Sequence, residues 1–174
     1  ASPALLAVCS GSGTTIELSG QTGAIVKWQS SLDDWTTTND IASTDNPLST
    51  GPLTATAFRA VVQSGEYTAI SSVATVAIEP APAIITDVTN QTACAGAKVT
   101  WSVVSAGNGL SYQWQRDGTN LLEGVGNFTG TTNSTLTNSA VGFEDSLPEP
   151  QGYVCIVSGI CSPSASSTRV SLTV

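Results

Sequence analysis

Two stretches decide the fold of the second half of this chain: Leu110-Ser111-Tyr112-Gln113-Trp114-Gln115 and Tyr153-Val154-Cys155. Both combine aromatic and small apolar residues in a way that favours β-strands. A weaker copy of the pattern stands in the first half, as Val26-Lys27-Trp28-Gln29 followed by Phe58-Arg59-Ala60-Val61-Val62. The pattern therefore occurs twice, which predicts two similar units in one chain.

A tryptophan in one strand and Tyr-x-Cys in a later strand mark the central strands C and F of an immunoglobulin-like sandwich. At 174 residues the chain has room for two domains of that size. The prolines of Glu79-Pro80-Ala81-Pro82 remove hydrogen-bond donors and hold the backbone extended, as in a short connector. We predict an all-β protein of two tandem immunoglobulin-like β-sandwich domains, residues 1-79 and 80-174, joined by this Pro-containing linker.

Composition excludes several classes of function. The chain carries 13 acidic and 5 basic residues, a net charge of -8, which argues against nucleic acid and anionic membranes as partners. It contains no run of 18 apolar residues, so membrane insertion is not expected. It has no histidine, so the commonest general base and the His-based triads are absent. We therefore expect no enzymatic activity, no cofactor and no metal.

The acidic residues lie in polar sequence. Asp33-Asp34 and Glu144-Asp145 are adjacent carboxylates, and we expect both pairs to be solvated surface because no apolar pocket surrounds them. Residues 30–50 are rich in oxygen-bearing side chains around Trp35. A cation site there is the alternative to a solvated loop, although no Asp-x-Asp-x-Asp-Gly loop is present. Trp35 itself is expected to cover an edge of the core or to be an exposed recognition residue.

Alternation of apolar and polar residues assigns faces to several strands. It turns Ala24, Val26 and Trp28 to one face, and it predicts strand B of the second domain in Lys98-Val99-Thr100-Trp101-Ser102-Val103, with the apolar residues facing in. Residues 1–8 are predicted to form a first edge strand. A strand that pairs into a neighbouring subunit is the alternative.

Three further motifs in the second domain carry a resemblance: Cys94-Ala95-Gly96 before strand B, Tyr112-Gln113-Trp114-Gln115 in strand C, and the stretch from Tyr153 to Cys161. Cys9-Ser10-Gly11 and Lys27-Trp28-Gln29-Ser30-Ser31 are their counterparts in the first domain. In this order, twice, they resemble the Ig-like repeats of very large, secreted adhesins and surface proteins of Bacteroidota-type bacteria. The resemblance covers both domains.

The resemblance implies a non-enzymatic extracellular module at the cell surface, a stalk or filament segment that extends a bacterial surface protein and supports adhesion or self-assembly. Its partners would be other copies, neighbouring repeats of the same chain or, as a further expectation, surface glycans. The alternative is a carbohydrate-binding or positioning module of a secreted enzyme, for which Trp35, Tyr112 and Trp101 are the candidate aromatic residues.

The resemblance also implies a disulfide between Cys94 and Cys161, since the bridge of these repeats joins the segment before strand B to the F–G hairpin. Val103 stands where an antibody-type domain has its strand B cysteine, so Cys155 is expected to be a buried free thiol. A Cys94–Cys155 bridge is the alternative. Cys9 is expected to be a free thiol or an intersubunit link.

One modification motif remains. Asp145-Ser146-Leu147 resembles the O-glycosylation motif of Bacteroidota surface proteins, with Ser146 as the acceptor.

Overall fold

A computed structural model describes residues 6–53, 56–148 and 150–174 of the chain. The chain divides into two compact units, Ala1–Glu79 and Pro80–Val174, which we call unit 1 and unit 2. The boundary falls within the Pro-containing stretch. Among the described residues, no helix is long and apolar enough to cross a membrane.

Unit 1 is built from short strands. They are β1 (Leu6–Cys9), β2 (Thr15–Ile16), β3 (Ala24–Ser31), β4 (Asn39–Ile41), β5 (Leu48–Ser49), β6 (Ala57–Ser64), β7 (Tyr67–Ile70) and β8 (Ala74–Glu79). The larger sheet has the order β1-β8-β6-β3-β4, with β7 also paired to β6, and the smaller sheet pairs β2 with β5. The first strand is confirmed over Leu6–Cys9: β1 lies at the edge of its own unit's sheet and pairs in parallel with β8. Residues 1–5 of this prediction lie outside the described residues.

A β-bulge corrects the predicted faces of β3. The register with β6 shifts between Ile25 and Lys27, which inserts one extra residue and reverses the alternation at that point. Ile25 and Trp28 are therefore buried, whereas Ala24 and Val26 are exposed. The predicted shared face of Ala24, Val26 and Trp28 is wrong for this reason.

The polar stretch 30–50 contains more structure than a solvated loop. It holds β4 and β5, and Leu48 in β5 is only 2 % exposed in the core of unit 1. That core consists, among the described residues, of Ile16, Ile25, Trp28, Leu48, Phe58, Ala60, Val62 and Val76.

Unit 2 divides its strands more evenly between two main sheets. Its elements are β9 (Ala83–Thr86), β10 (Gln91–Thr92), β11 (Val99–Ser102), β12 (Val104–Ala106), β13 (Ser111–Arg116), β14 (Thr119–Asn120), β15 (Phe128–Thr129), β16 (Thr135–Asn138), a 3₁₀ helix (Phe143–Asp145), β17 (Tyr153–Ser158), β18 (Ala165–Ser166) and β19 (Leu172–Thr173). One sheet has the order β14-β13-β17-β18 and the other β11-β16-β15, while β10 pairs in parallel with β19.

The core of unit 2 confirms the predicted marks. Trp114 in β13 lies directly opposite Cys155 in β17, and both are fully buried. Val99, Trp101 and Val103 all face inward, as predicted. Burying these large aromatic and aliphatic groups between two sheets is the main force that holds the unit together.

Candidate functional site

The four cysteines differ from the predicted pairing. Cys9 and Cys161 are disulfide-bonded, whereas Cys94 is an exposed free thiol and Cys155 is a buried free thiol. The Cys94–Cys161 bridge is wrong because the sulfur of Cys161 is already bonded. The alternative Cys94–Cys155 bridge is not formed either. Cys9 is bonded within a single chain, so the expectation of a free thiol or an intersubunit link is also wrong.

Cys155 confirms the prediction of a buried free thiol. It has no exposed surface, and its backbone N–H donates to the hydroxyl of Ser167 at 2.8 Å. Burial disfavours the thiolate and raises the pKa of Cys155 to about 11. A thiol held in the neutral form at the centre of a sheet is a poor nucleophile, and its role is packing.

A buried polar corner surrounds Asp145. Its carboxylate accepts hydrogen bonds from Arg116 at 3.2 Å, from the Asn138 amide at 2.9 Å and from the Gly142 backbone at 3.0 Å. The Tyr153 hydroxyl donates to the backbone carbonyl of Asp145 at 2.9 Å, the arrangement known as a tyrosine corner. Asp145 is 3 % exposed, so its predicted place on the solvated surface is wrong: charge pairing and hydrogen bonds compensate its burial.

The same corner accounts for the sequence around Ser146. Ser146 is half-buried, and its hydroxyl donates to the Leu172 carbonyl at 3.3 Å. Its neighbours Asp145 and Leu147 are both buried by the fold. O-glycosylation at Ser146 therefore stays a prediction, which the intact mass of the native protein would check.

Trp35 and Arg59 form an ordered pair on unit 1. The guanidinium carbon of Arg59 lies 3.9 Å from the centre of the Trp35 ring, and Arg59 Nε donates to Gln29 at 2.8 Å. The backbone N–H of Trp35 donates to the hydroxyl of Ser31 at 3.0 Å, which holds a turn in which Trp35 adopts φ +68°. Trp35 is half-buried, between the two predicted alternatives of core cover and exposed recognition residue.

The other two aromatic candidates pack into or against the core of unit 2. Trp101 is 2 % exposed and its ring stacks on Tyr153 at 4.8 Å within the core of unit 2. Tyr112 is half-buried, and its hydroxyl shares a 2.8 Å hydrogen bond with Ser105. The predicted aromatic set is thus divided between unit 1, which holds Trp35, and unit 2, which holds Trp101 and Tyr112.

The acidic side chains near Trp35 have protein partners. Hydrogen bonds from the Thr37 hydroxyl and backbone, and from Ser31, lower the pKa of Asp33. A hydrogen bond from Lys27, with help from Gln29, lowers the pKa of Asp40. Within the described part of the chain no three His, Cys, Asp or Glu residues are grouped as a metal site.

One groove on unit 1 lacks the side chains that catalysis needs. This open groove of about 350 Å³ is lined by the segment 18–22, by residues 69–72 and by Val62. No lining residue is ionisable, so this groove contains no general acid, general base or charged nucleophile.

Comparison with known proteins agrees with the fold. Residues 3–80 match a family described only as a domain of unknown function, DUF8696, which covers unit 1 and less than half of the chain. No curated protein matches the chain.

Solved structures of tandem immunoglobulin-like domains are similar over 97 % of this chain. A mutated three-domain fragment of titin, I67–I69, has a TM-score of 0.65 and 15 % identity, and 62 % of it is covered. The first two domains of DIP-gamma have a TM-score of 0.58 and 14 % identity, and 92 % of that structure is covered. Extracellular domains 3–5 of Drosophila OTK have a TM-score of 0.55 and 13 % identity, and 58 % of that structure is covered. The chain thus spans less than two thirds of the titin and OTK fragments. At these identities the likeness shows the fold, two tandem Ig-like domains.

Proposed function

We propose that this chain is a non-enzymatic extracellular module, a stalk or filament segment of a bacterial cell-surface protein. The observation that carries the proposal is that the carboxylates with lowered pKa values have partners within their own unit. The acidic groups with lowered pKa values, Asp33, Asp40, Asp87 and Glu123, accept hydrogen bonds that tie loops or strands of their own unit together. These carboxylates stabilise the sandwich through their hydrogen bonds, and none of them lines the groove of unit 1.

Asp87 illustrates this use. Burial opposes its charge most strongly, yet the hydroxyl and backbone of Thr168 and the backbone of Val88 together lower its pKa. Thr168 is 81 residues away in sequence and donates at 2.7 Å and 2.9 Å, so the carboxylate fastens the beginning of unit 2 to its end. A module that separates or connects other domains depends on such a link between its first and last segments more than on a reactive site.

The extracellular location is supported by the disulfide-bonded cysteines, since such bonds persist mainly in oxidising compartments. The bacterial origin rests on the resemblance of the sequence motifs. The test is limited proteolysis of intact source cells, followed by mass spectrometry of the released peptides. Peptides of this chain should appear without lysis, whereas a cytosolic marker should not; recovery only after lysis would contradict the proposal.

The structural role has its own test. Light scattering after size-exclusion chromatography, combined with negative-stain imaging, should give regular polymers or two-domain monomers with no hydrolytic activity toward polysaccharide substrates. Substrate turnover that survives further purification would point to an enzyme instead.

The second candidate is glycan binding at unit 1, favoured by Trp35 and Arg59. Arg59 forms no ion pair with the described residues, and its hydrogen bond to Gln29 engages only Nε. Its terminal nitrogens therefore suit a carboxylate-bearing sugar beside the indole. On an array of acidic and neutral glycans, Trp35→Ala and Arg59→Gln should both lose binding, with Tyr67→Ala as an exposed aromatic control. Retention of binding by both variants would exclude this site.

A further inference from the structure

The two units carry a cysteine in the same place. Cys9 ends the strand that pairs in parallel with β8, the last strand of unit 1. Cys94 follows β10, which pairs in parallel with β19, the last strand of unit 2. In both units the residue seven positions further on, Ile16 or Trp101, is buried in the core. The two cysteines are therefore structural counterparts.

The turns that present them also agree. The carbonyl of Cys9 accepts from Ser12 N at 3.0 Å, and the carbonyl of Cys94 accepts from Ala97 N at 3.0 Å. A glycine stands two residues after each cysteine, with φ +80° for Gly11 and +83° for Gly96. No atom lies within 4 Å of a Cβ added to either glycine, so the backbone conformation, rather than space, requires glycine there.

Equivalent position does not give equivalent chemistry. Cys9 is disulfide-bonded, whereas Cys94 is free and exposed. The other bonded cysteine, Cys161, stands between β17 and β18, on the hairpin that joins strands F and G. Bonded cysteines therefore occur at two places in this fold, the turn before strand B and the F–G hairpin. The corresponding hairpin of unit 1, Gly65-Glu66, has no cysteine.

We propose that Cys94 is a covalent attachment site for another Ig-like unit, whose F–G-hairpin cysteine bonds to it. The bonded state of Cys9, its counterpart, is the observation that distinguishes Cys94 from an incidental surface thiol. Within residues 1–174 no hairpin cysteine is left for it, because Cys161 is bonded and Cys155 is buried in β17. The partner is a further repeat of the same polypeptide or a second polypeptide. The inference rests on the proposed extracellular, oxidising location.

The bond forms by thiol–disulfide exchange with an oxidised dithiol catalyst or a small disulfide, R–S–S–R. The thiolate of Cys94 attacks one sulfur, forms Cys94–S–S–R and releases one RS⁻. The hairpin thiolate then attacks the Cys94 sulfur and displaces the second RS⁻. Two cysteine thiols thus lose two protons and two electrons, and the oxidant is reduced to two RSH.

The test is disulfide mapping of the native protein, alkylated on intact source cells before lysis and digested without reduction. A Cys94 peptide joined to a cysteine that stands six residues after a Tyr-x-Cys strand, as Cys161 follows Cys155, is the expected result. A gel without reductant separates the two sources: a partner in the same polypeptide leaves the mass unchanged, whereas a second polypeptide adds its own.

Alkylated Cys94, or a Cys94–Cys94 bond between chains, would overturn the inference. Cys155 is the internal control, because it should be alkylated only after denaturation. The location is read from the same cells by surface proteolysis. Reduced Cys94 on a surface-exposed protein would refute this inference alone, whereas reduced Cys94 on a protein released only by lysis would refute the proposed function as well. A Cys94→Ser variant should lose the cross-link and keep its thermal unfolding temperature within error.

Discussion

Unit 1 and unit 2 have cores built around an equivalent tryptophan, but they differ in the buried polar groups beside it. Trp28 lies opposite Ala60 and Trp114 lies opposite Cys155, so the two tryptophans are equivalent. Each indole N–H donates to a backbone carbonyl, of Asp45 at 2.9 Å and of Asn133 at 2.8 Å. A buried tryptophan with its N–H satisfied is the shared feature of both cores.

The difference lies beside this tryptophan. The residue two positions before Ala60 is Phe58, whereas Tyr153 stands two positions before Cys155, and only the tyrosine can donate to a corner carbonyl. Two residues after the tryptophans, Ser30 in unit 1 replaces Arg116, which pairs with Asp145 in unit 2. The fold therefore forms without the polar corner, and the corner is an added fastening specific to unit 2.

The largest effect is expected from the shared feature. Trp114→Ala should lower the free energy of unfolding of unit 2 by about 4 kcal/mol, because it leaves a large cavity in the core. Trp28→Ala should do the same to unit 1. Hydrogen exchange followed peptide by peptide reads each unit separately. If either variant left its own unit's protection unchanged, the equivalence of the two tryptophans would be wrong.

The second-largest loss of stability is expected from a substitution in the buried polar corner of unit 2. Asp145→Asn removes the charge that pairs with Arg116 in a site where the carboxylate is 5 % exposed, and should destabilise unit 2 by about 2 kcal/mol. Asp40→Asn is the matched control, since Asp40 pairs with Lys27 at the surface of unit 1, and should destabilise unit 1 far less than Asp145→Asn destabilises unit 2. Denaturant titration of the two variants, followed by hydrogen exchange in each unit, checks both predictions. Equal losses would show that burial of the pair is irrelevant.

Tyr153→Phe gives unit 2 the residue that unit 1 already has. It keeps the stacking on Trp101 and removes one hydrogen bond, so unit 2 should lose about 1 kcal/mol. Tyr67→Phe, at a hydroxyl-bearing ring that is 84 % exposed, is the control. No change in the unfolding midpoint of unit 2 would mean that the tyrosine hydroxyl contributes nothing to the corner.

The smallest effect concerns alkaline pH. Burial raises the pKa of Cys155 from 9.0 to about 11, so the folded state keeps its proton in a range where the unfolded state loses it. Stability from this group is complete below pH 9 and is lost as pH rises toward 11. In a Cys94→Ser background, unit 2 should therefore destabilise across this range more steeply than the same protein with Cys155→Ala. Unit 1, which has Ala60 there, supplies the internal reference; parallel curves for the two variants would contradict the assignment.

The features predicted from sequence are those set by local pattern. Trp114, Tyr153 and the inward residues of strand B were found because aromatic residues and alternation mark a sandwich core directly. Ile25 was missed because a bulge leaves no trace in the alternation rule, and Leu48 because its strand has two residues in a polar stretch.

The missed partnerships are long-range. Asp145 and Arg116 are 29 residues apart, and nothing in Glu144-Asp145 shows which carboxylate turns inward. The state of Cys155 followed from one position, Val103, and was confirmed. The states of Cys9 and Cys94 depend on which cysteines meet in space, which spacing does not determine. Ser146 and the glycan candidates depend on partners that the chain does not contain.

Oxidation of Cys155 leaves a chemical record of the transient unfolding of unit 2. With no exposed surface and a neutral thiol, it meets dissolved oxidants only when unit 2 opens. In an oxidising medium each opening exposes the sulfur to peroxide, which oxidises it to a sulfenic acid, and to small disulfides R–S–S–R, which exchange with it to a mixed disulfide and release RSH. Either product enlarges the side chain that lies opposite Trp114. Unit 1 leaves no such trace, because Ala60 occupies the position. The oxidised fraction of Cys155 in aged material should thus rise with the total time that unit 2 has spent open.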